Sequence, residues 1–299
     1  MKFSWLYPLL IVIAASSFGI LSTIVKLAMQ AGFTSAEAIS AQYIFGFTLA
    51  LLLFIATQRT MPKLSLKGFF ILLLAGSCTA TTGIVYGQSL NYLPASLAVV
   101  MLFQFTWIGL IMNCIMKRRL PSRLELISLA FLFGGTILAA GVMDADLSQI
   151  DPRGWILGLI AAVSFAAFLQ INSIHVEGVT SVARTFILAT VSVTIIIFVL
   201  SPEILWNGQI TNGLWTYGLA LGIFGIILPN LLFSFAAPKV GGALVSILSA
   251  MELPVAVIVS VIVLHETLTW LQIGGIILVL IGMSLPSYFA AKKTARLKK

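Results

Sequence analysis

Residues 242–264 read Gly-Ala-Leu-Val-Ser-Ile-Leu-Ser-Ala-Met-Glu-Leu-Pro-Val-Ala-Val-Ile-Val-Ser-Val-Ile-Val-Leu, an apolar run whose one charged residue is Glu252. A helix of about 20 apolar residues crosses the hydrocarbon core of a bilayer. Nine further runs of this kind lie at 6–28, 36–57, 68–90, 95–116, 123–142, 153–174, 181–200, 213–237 and 269–289. The sequence therefore predicts an all-α integral membrane protein with ten transmembrane helices.

The composition of the whole chain excludes the other classes of protein. Of its 299 residues, 60% are hydrophobic and 9% are charged, whereas soluble domains are about 25% charged. The mean hydropathy is +1.11. Disorder needs low hydrophobicity, and a disulfide scaffold needs more than Cys78 and Cys114, which both lie inside apolar runs.

The basic residues predict the orientation in the membrane. If the N-terminus is cytoplasmic, 15 of the 17 Lys and Arg residues fall on the cytoplasmic side, and the exceptions are Lys26 and Arg153. Cytoplasmic loops of membrane proteins are enriched in basic residues, so both termini are predicted to be cytoplasmic. The net charge of +8 thus indicates topology, and we expect the lipid bilayer and no nucleic acid as a partner.

The chain also repeats itself at about half its length. Ala-Ala-Ser-Ser-Phe-Gly at 14–19 returns as Ala-Ala-Val-Ser-Phe-Ala at 161–166, an offset of 147 positions, and Gly-Phe-Thr-Ser at 32–35 returns as Gly-Val-Thr-Ser at 178–181. Ser-Arg-Leu-Glu at 122–125 matches Thr-Trp-Leu-Gln at 269–272. Both of these segments are capping boxes, in which Ser or Thr is followed three residues later by Glu or Gln at the start of a helix.

Each copy contains five helices, and an odd number of crossings leaves the chain on the opposite side of the membrane. The second copy therefore enters the membrane from the side opposite to the first. The prediction is two inverted five-helix repeats, an arrangement found in secondary transporters. The first repeat covers 1–145, a linker follows at 146–152, the second repeat covers 153–290, and 291–299 form a basic cytoplasmic tail.

The second repeat carries a family resemblance. Ala-Met-Glu-Leu-Pro at 250–254, Leu-His-Glu-Thr-Leu at 264–268 and Gln-Ile-Gly-Gly at 272–275 resemble the EamA family of the drug/metabolite transporter superfamily. The first repeat departs from this pattern, with Gln104 and Arg118 at the positions of Glu252 and Glu266. The resemblance implies export of amino acids and other small metabolites from bacteria, hence the bacterial inner membrane, or solute transport across organelle membranes; it does not name the solute.

Glu252 is the principal candidate for a substrate-binding or coupling residue. An ionisable side chain inside a membrane helix marks a functional site by default. Pro254 has no amide hydrogen and frees the carbonyl oxygen of Ala250, so a proton, an ammonium group or a water has a polar place to bind. Glu252 either titrates or pairs with substrate during transport, or it is a protonated acid that holds the fold.

Further candidates surround a second helix break. Pro229, followed by Asn230, interrupts the eighth helix and frees the carbonyl of Gly225, either beside a cavity or for packing alone. The amides of Gln104 and Gln170 are predicted to line the cavity. Trp107 follows Gln104 at i+3 on one helix face and either stacks on substrate or faces lipid or core.

The sequence predicts no catalytic residues, no cofactor and no metal site, since His175 and His265 lie at opposite predicted faces without a second ligand. It contains no nucleotide-binding loop. The expected function is that of a secondary transporter for a small molecule, working by alternating access, in the export direction, and not that of an enzyme. Proton coupling, facilitated exchange and a homodimer are all compatible with the sequence. The alternative functions are a facilitative channel and a membrane-embedded enzyme.

Overall fold

The computed structural model describes residues 5–58, 60–89, 91–93, 95–139, 151–200, 202–265 and 268–296. At 95–97 and 287–296 it describes the backbone alone, and elsewhere in these ranges it describes the side chains as well. Within these ranges the regular elements are all helical. The first half of the chain contains α1 (Leu6–Gln30), α2 (Ser35–Thr57), α3 (Leu66–Ser89), α4 (Ala95–Phe103), α5 (Phe105–Met116) and α6 (Arg123–Ala139). The second contains α7 (Pro152–Asn172), α8 (Ser181–Val199), α9 (Trp215–Gly222), α10 (Leu228–Val240), α11 (Gly242–Leu248), α12 (Glu252–Leu264) and α13 (Trp270–Arg296).

Each predicted apolar run contains at least one helix in its described part. Eight helical segments among the described residues are long and apolar enough to cross a membrane: Leu6–Gln30, Ser35–Thr57, Leu66–Ser89, Ala98–Met116, Pro152–Asn172, Ser181–Val199, Ile210–Val240 and Gly242–Leu264. The helix α6 has 17 residues, and the apolar part of α13, Trp270–Pro286, is also shorter. The chain is a multi-pass membrane protein, and the count of ten crossings stays a prediction.

Local side chains start several of these helices. Thr34 and Glu37 form a capping box at α2, which satisfies backbone amides that have no partner within the helix. The two predicted boxes are confirmed: the amide of Glu125 donates to the Ser122 hydroxyl at 3.3 Å, and the segment 269–272 makes the equivalent bond at 3.3 Å. The predicted linker lies outside the described residues except for Asp151 and Pro152, which begin α7.

Backbone geometry repeats at the offset seen in the sequence. Gly32 and Gly178 both have positive φ, at 95° and 72°, and so do Arg118 and His265, at 48° and 55°. A non-glycine residue with positive φ is uncommon, so its recurrence at matching positions is informative. The break between α4 and α5 at Gln104 likewise matches a 3-10 turn at Ser249–Met251 between α11 and α12. The inverted orientation of the two repeats stays a prediction.

Helices of the two halves pack on each other through glycine. A Cβ atom on Gly135 of α6 would lie 2.8 Å from the carbonyl oxygen of Gly275, and one on Gly275 would lie 2.6 Å from that of Gly135. Similarly, α3 packs on α7 and α8, while α1 packs on α10 and α12. Side chains of α1, α5, α7 and α10 meet in an aromatic core. The interior is therefore built jointly by both halves.

Candidate transport site

The span Gly242–Leu264 is interrupted where Glu252 lies. The helix α11 ends at Leu248, a 3-10 turn occupies Ser249–Met251, and α12 begins at Glu252. Pro254 therefore lies in the first turn of α12, where a missing amide hydrogen costs no helical hydrogen bond. The break expected inside the helix is thus a 3-10 turn, and the backbone on both sides of it stays right-handed helical.

Glu252 has an unsatisfied carboxyl oxygen in the interior. Its Oε2 is buried and accepts no hydrogen bond from the described residues, and the Ser249 hydroxyl is equally without a partner. On α1, a Cβ atom at Gly19 would come within 2.5 Å of the Glu252 carbonyl oxygen. The backbone of Glu252 thus lies where α1 and α12 touch.

A second interruption precedes Asn230. A π-helical turn, Ile223–Ile227, leads into α10, and the Leu228 amide donates to the carbonyl five residues back. In this register residue 229 would donate to the carbonyl of Phe224, and proline has no amide hydrogen. The hydroxyl of Ser17 donates to that carbonyl instead. Asn230, 3% exposed, has no partner for its Oδ1 among the described residues.

The helix α1 connects both interruptions. Ser17 bonds to the turn before Pro229, and Gly19 packs on the first turn of α12. Between them, Phe18 contacts Phe165 of α7 at a ring distance of 5.7 Å and Phe233 of α10 at 5.9 Å. The structure therefore brings the two predicted breaks to one short stretch of α1.

Gln170 belongs to a different set of contacts. Its Oε1 accepts from the Asn113 amide at 3.1 Å, and its Nε2 donates to the Gly242 carbonyl at 3.1 Å and to the Ser246 hydroxyl at 3.0 Å. It is 2% exposed. Since both its oxygen and its nitrogen are bonded within the protein, Gln170 connects α5, α7 and α11.

The contacts of Gln170 continue to a loop at the end of the bundle. Arg119 donates to the Oδ1 of Asn113 at 3.3 Å and makes two hydrogen bonds to Glu125, at 2.7 and 2.8 Å. The bond to Glu125 raises the pKa of the Arg119 guanidinium above its ordinary value. We call Gln170, Asn113, Arg119 and Glu125 the polar relay. Sequence reasoning missed Asn113, although it is the one amide side chain in the apolar run 105–116.

A cavity of about 380 Å³ adjoins the polar relay. Asn113, Lys117, Arg119 and Glu125 contribute its polar lining, together with residues of the turn between α10 and α11. Within this lining Arg119 and Glu125 are paired with each other at 2.7 Å, so their charges offset each other.

Gln104 and Trp107 lie together on another face. The Trp107 indole donates to the Gln104 Oε1 at 2.6 Å, and the Gln104 Nε2 donates to the Val100 carbonyl at 3.0 Å. Trp107 is 37% exposed and shares its face of α5 with the exposed Ile111 and Ile115, whereas Asn113 is turned inward. The role predicted for this pair in the cavity stays a prediction. Glu266, named by the family resemblance, lies outside the described residues.

Residues 152–288 match the model of the EamA-like transporter family. We refer to residues 152–288 as the EamA domain. The resemblance predicted from the sequence is confirmed over these residues, and the match indicates a membrane transporter of the drug/metabolite type. Glu252, Asn230 and Gln170 lie inside the EamA domain, while Gln104 and Trp107 precede it.

Similarity in three dimensions extends beyond the EamA domain. A solved structure titled only "Crystal structure of protein" aligns with a TM-score of 0.72 at 13% sequence identity, covering 98% of each chain. At this identity the likeness concerns the fold alone. No curated protein matches the sequence. Among the described residues, no group of three His, Cys, Asp or Glu side chains is placed to hold a metal ion.

Proposed function

We propose that the protein is a secondary transporter that exports a small metabolite, an amino acid or a related compound, by alternating access. In this proposal ten helices form two inverted repeats in the bacterial inner membrane, with both termini cytoplasmic. The observation that carries the proposal is the Glu252 carboxyl at the helix start inside an interrupted span of the EamA domain.

Interrupted helices supply polar groups at membrane depth, because the backbone at the break is free to meet a solute or an ion. Glu252, Ser249 and Asn230 each have a buried polar atom without a partner among the described residues. An ammonium group or a hydroxyl of a solute would satisfy such atoms. We assign Glu252 the role of binding a cationic group of the substrate or a coupling proton.

The polar relay supports alternating access through its position. Asn113 belongs to the first half of the chain, while Gln170 and Ser246 belong to the second. Any movement of one half relative to the other at this end must break these bonds. The neighbouring cavity, with Lys117 and Arg119 in its lining, is on this proposal the cytoplasmic vestibule.

The experiment is an efflux screen in proteoliposomes over a panel of amino acids and related metabolites, with and without a pH gradient. Glu252→Gln is expected to slow transport by about tenfold or more, since a hydrogen bond to a charged group contributes about 1.5 to 3 kcal/mol. Glu37→Gln is the matched control. It removes a carboxylate from an exposed capping box, which Gln also serves, and should transport normally.

Two results would contradict the proposal at different levels. Unchanged rates and unchanged pH dependence for Glu252→Gln would make Glu252 structural. Failure of the correctly inserted wild type to move any solute of the panel would count against a transporter. Flux that neither saturates nor shows counterflow would indicate that the protein is a facilitative channel.

A further inference from the structure

A second cavity, of about 550 Å³, lies between the loop that joins α7 to α8, the start of α8 and the end of α10. None of the residues assigned above to transport lines it. Its polar lining consists of His175, Thr180, Ser181, Arg184, Ser234 and Lys239.

Arg184 brings a buried positive charge to this cavity. It is 4% exposed, and its Nη1 and Nη2 donate to the carbonyls of Ile174 and Ile171, both at 2.9 Å. These bonds cap the C-terminal end of α7 and leave the net charge in place. The Nε has no partner among the described residues. Among the described residues that line the cavity, none is a carboxylate.

Lys239 supplies a second positive charge at the mouth of the cavity. Its ammonium nitrogen lies 4.3 Å from the ring centre of Tyr7 and 3.8 Å from that of Phe235, and it donates to the Tyr7 hydroxyl at 3.3 Å. Two aromatic faces attract and hold the cation. An ammonium group has three donors, so donors remain for a ligand.

Ser234 gives an independent indication of a ligand. It is 8% exposed, so more than nine-tenths buried, and its hydroxyl has no hydrogen-bond partner among the described residues. Buried polar groups are almost always paired. Thr180 caps the 19-residue helix α8, and both Thr180 and Ser181 line the cavity. The positive N-terminal end of α8 therefore lies at the cavity, and helix N-termini are sites where oxyanions bind.

We propose that this cavity binds a phosphate-bearing anion, held by Lys239, the Ser234 hydroxyl and the charge of Arg184. The exposed Phe235, 45% accessible, continues the apolar outer surface beside the cavity. An acyl chain can lie along that surface while the phosphate occupies the cavity, as in basic headgroup pockets between membrane helices. The source of the phosphate is therefore an anionic phospholipid.

The test uses the full chain purified in a neutral detergent and titrated with phosphatidylglycerol, phosphatidylcholine or soluble glycerol phosphate, with thermal unfolding as the readout. Phosphatidylglycerol is expected to stabilise the wild type more than phosphatidylcholine does. Ser234→Ala should weaken phosphatidylglycerol binding about tenfold without destabilising the lipid-free protein, because the hydroxyl has no partner among the described residues. Lys239→Gln should weaken it about fivefold.

Lys63→Gln, which removes the same charge from an exposed loop outside this cavity, should bind phosphatidylglycerol like the wild type. Equal stabilisation by the two phospholipids overturns the proposal, and so does wild-type affinity in Ser234→Ala. If glycerol phosphate stabilises as well as phosphatidylglycerol, and the two cavity variants lose that effect, the phosphate site stands and its ligand is soluble.

Discussion

Gly242→Ala should destabilise the protein mainly through the side chain of Gln170. A Cβ atom at Gly242 would lie 1.9 Å from the Gln170 Oε1, so the Gln170 amide must swing away. It then loses its bonds to Asn113, to the Gly242 carbonyl and to Ser246. Each buried hydrogen bond contributes about 1 kcal/mol, so the loss is about 3 kcal/mol, and the better helix propensity of alanine returns up to about 1 kcal/mol.

The expected net effect is a free energy of unfolding lower by about 2 kcal/mol. It can be measured by titrating the purified protein from a neutral detergent into dodecyl sulfate and following tryptophan fluorescence. Gly274→Ala is the control, because a Cβ atom there meets nothing within 4 Å. That variant should match the wild type or exceed it by up to about 1 kcal/mol.

A double-mutant cycle identifies the cause. In a Gln170→Ala background the closest clash is gone, and the one that remains is with the Asn113 Nδ2 at 2.9 Å, so Gly242→Ala should cost much less than it does in the wild type. Additive effects of the two substitutions, or a Gly242→Ala variant as stable as the wild type, would refute the reasoning. The same variants connect stability to transport, since the polar relay joins the two halves of the chain.

Two further substitutions test the packing around the site. Gly275→Ala should be less stable than Gly274→Ala by about 1 to 3 kcal/mol, because its Cβ atom would lie 2.3 Å from a backbone nitrogen of α6. Equal stability of the two variants in the dodecyl sulfate titration would disprove this contact. Ser17→Ala leaves the Phe224 carbonyl without its donor and should cost about 1 to 3 kcal/mol in the same titration. Ser22→Ala, whose hydroxyl makes only a 3.5 Å contact on α1, should change little, and a Ser17 variant equally stable would argue against the π-turn contact.

The prolines in the sequence predicted the positions of the helix interruptions, but they did not predict the form of each interruption. Pro229 and Pro254 both lack an amide hydrogen, so either can kink a helix or begin one. At Pro254 the chain begins α12 after a 3-10 turn. At Pro229 it forms a π-turn whose free carbonyl is bonded by Ser17, 207 positions away along the chain. A donor so distant in sequence leaves no local pattern to detect.

The candidate site shows the same division. Glu252 is detectable from sequence because a carboxyl in an apolar run is rare, and its rarity does not depend on its neighbours. Asn113 could not be identified from the sequence, because what marks it is its hydrogen bonds to Gln170 and Arg119 in the folded protein. The phosphate-binding cavity combines Arg184, Ser234 and Lys239, which no spacing rule connects.

The sequence by itself determined the membrane class, the helices and their local starts. These depend on interactions within a few residues, since a chain in lipid must satisfy its backbone within each helix and a capping box closes over three residues. Only the tertiary structure decided which buried polar groups have partners. Gln170 finds Asn113 57 positions away and Ser246 76 positions away, whereas Glu252 keeps an unpaired oxygen among the described residues. That difference is set by how the helices pack, and in the proposed function it separates a side chain that holds the bundle together from one that binds a solute.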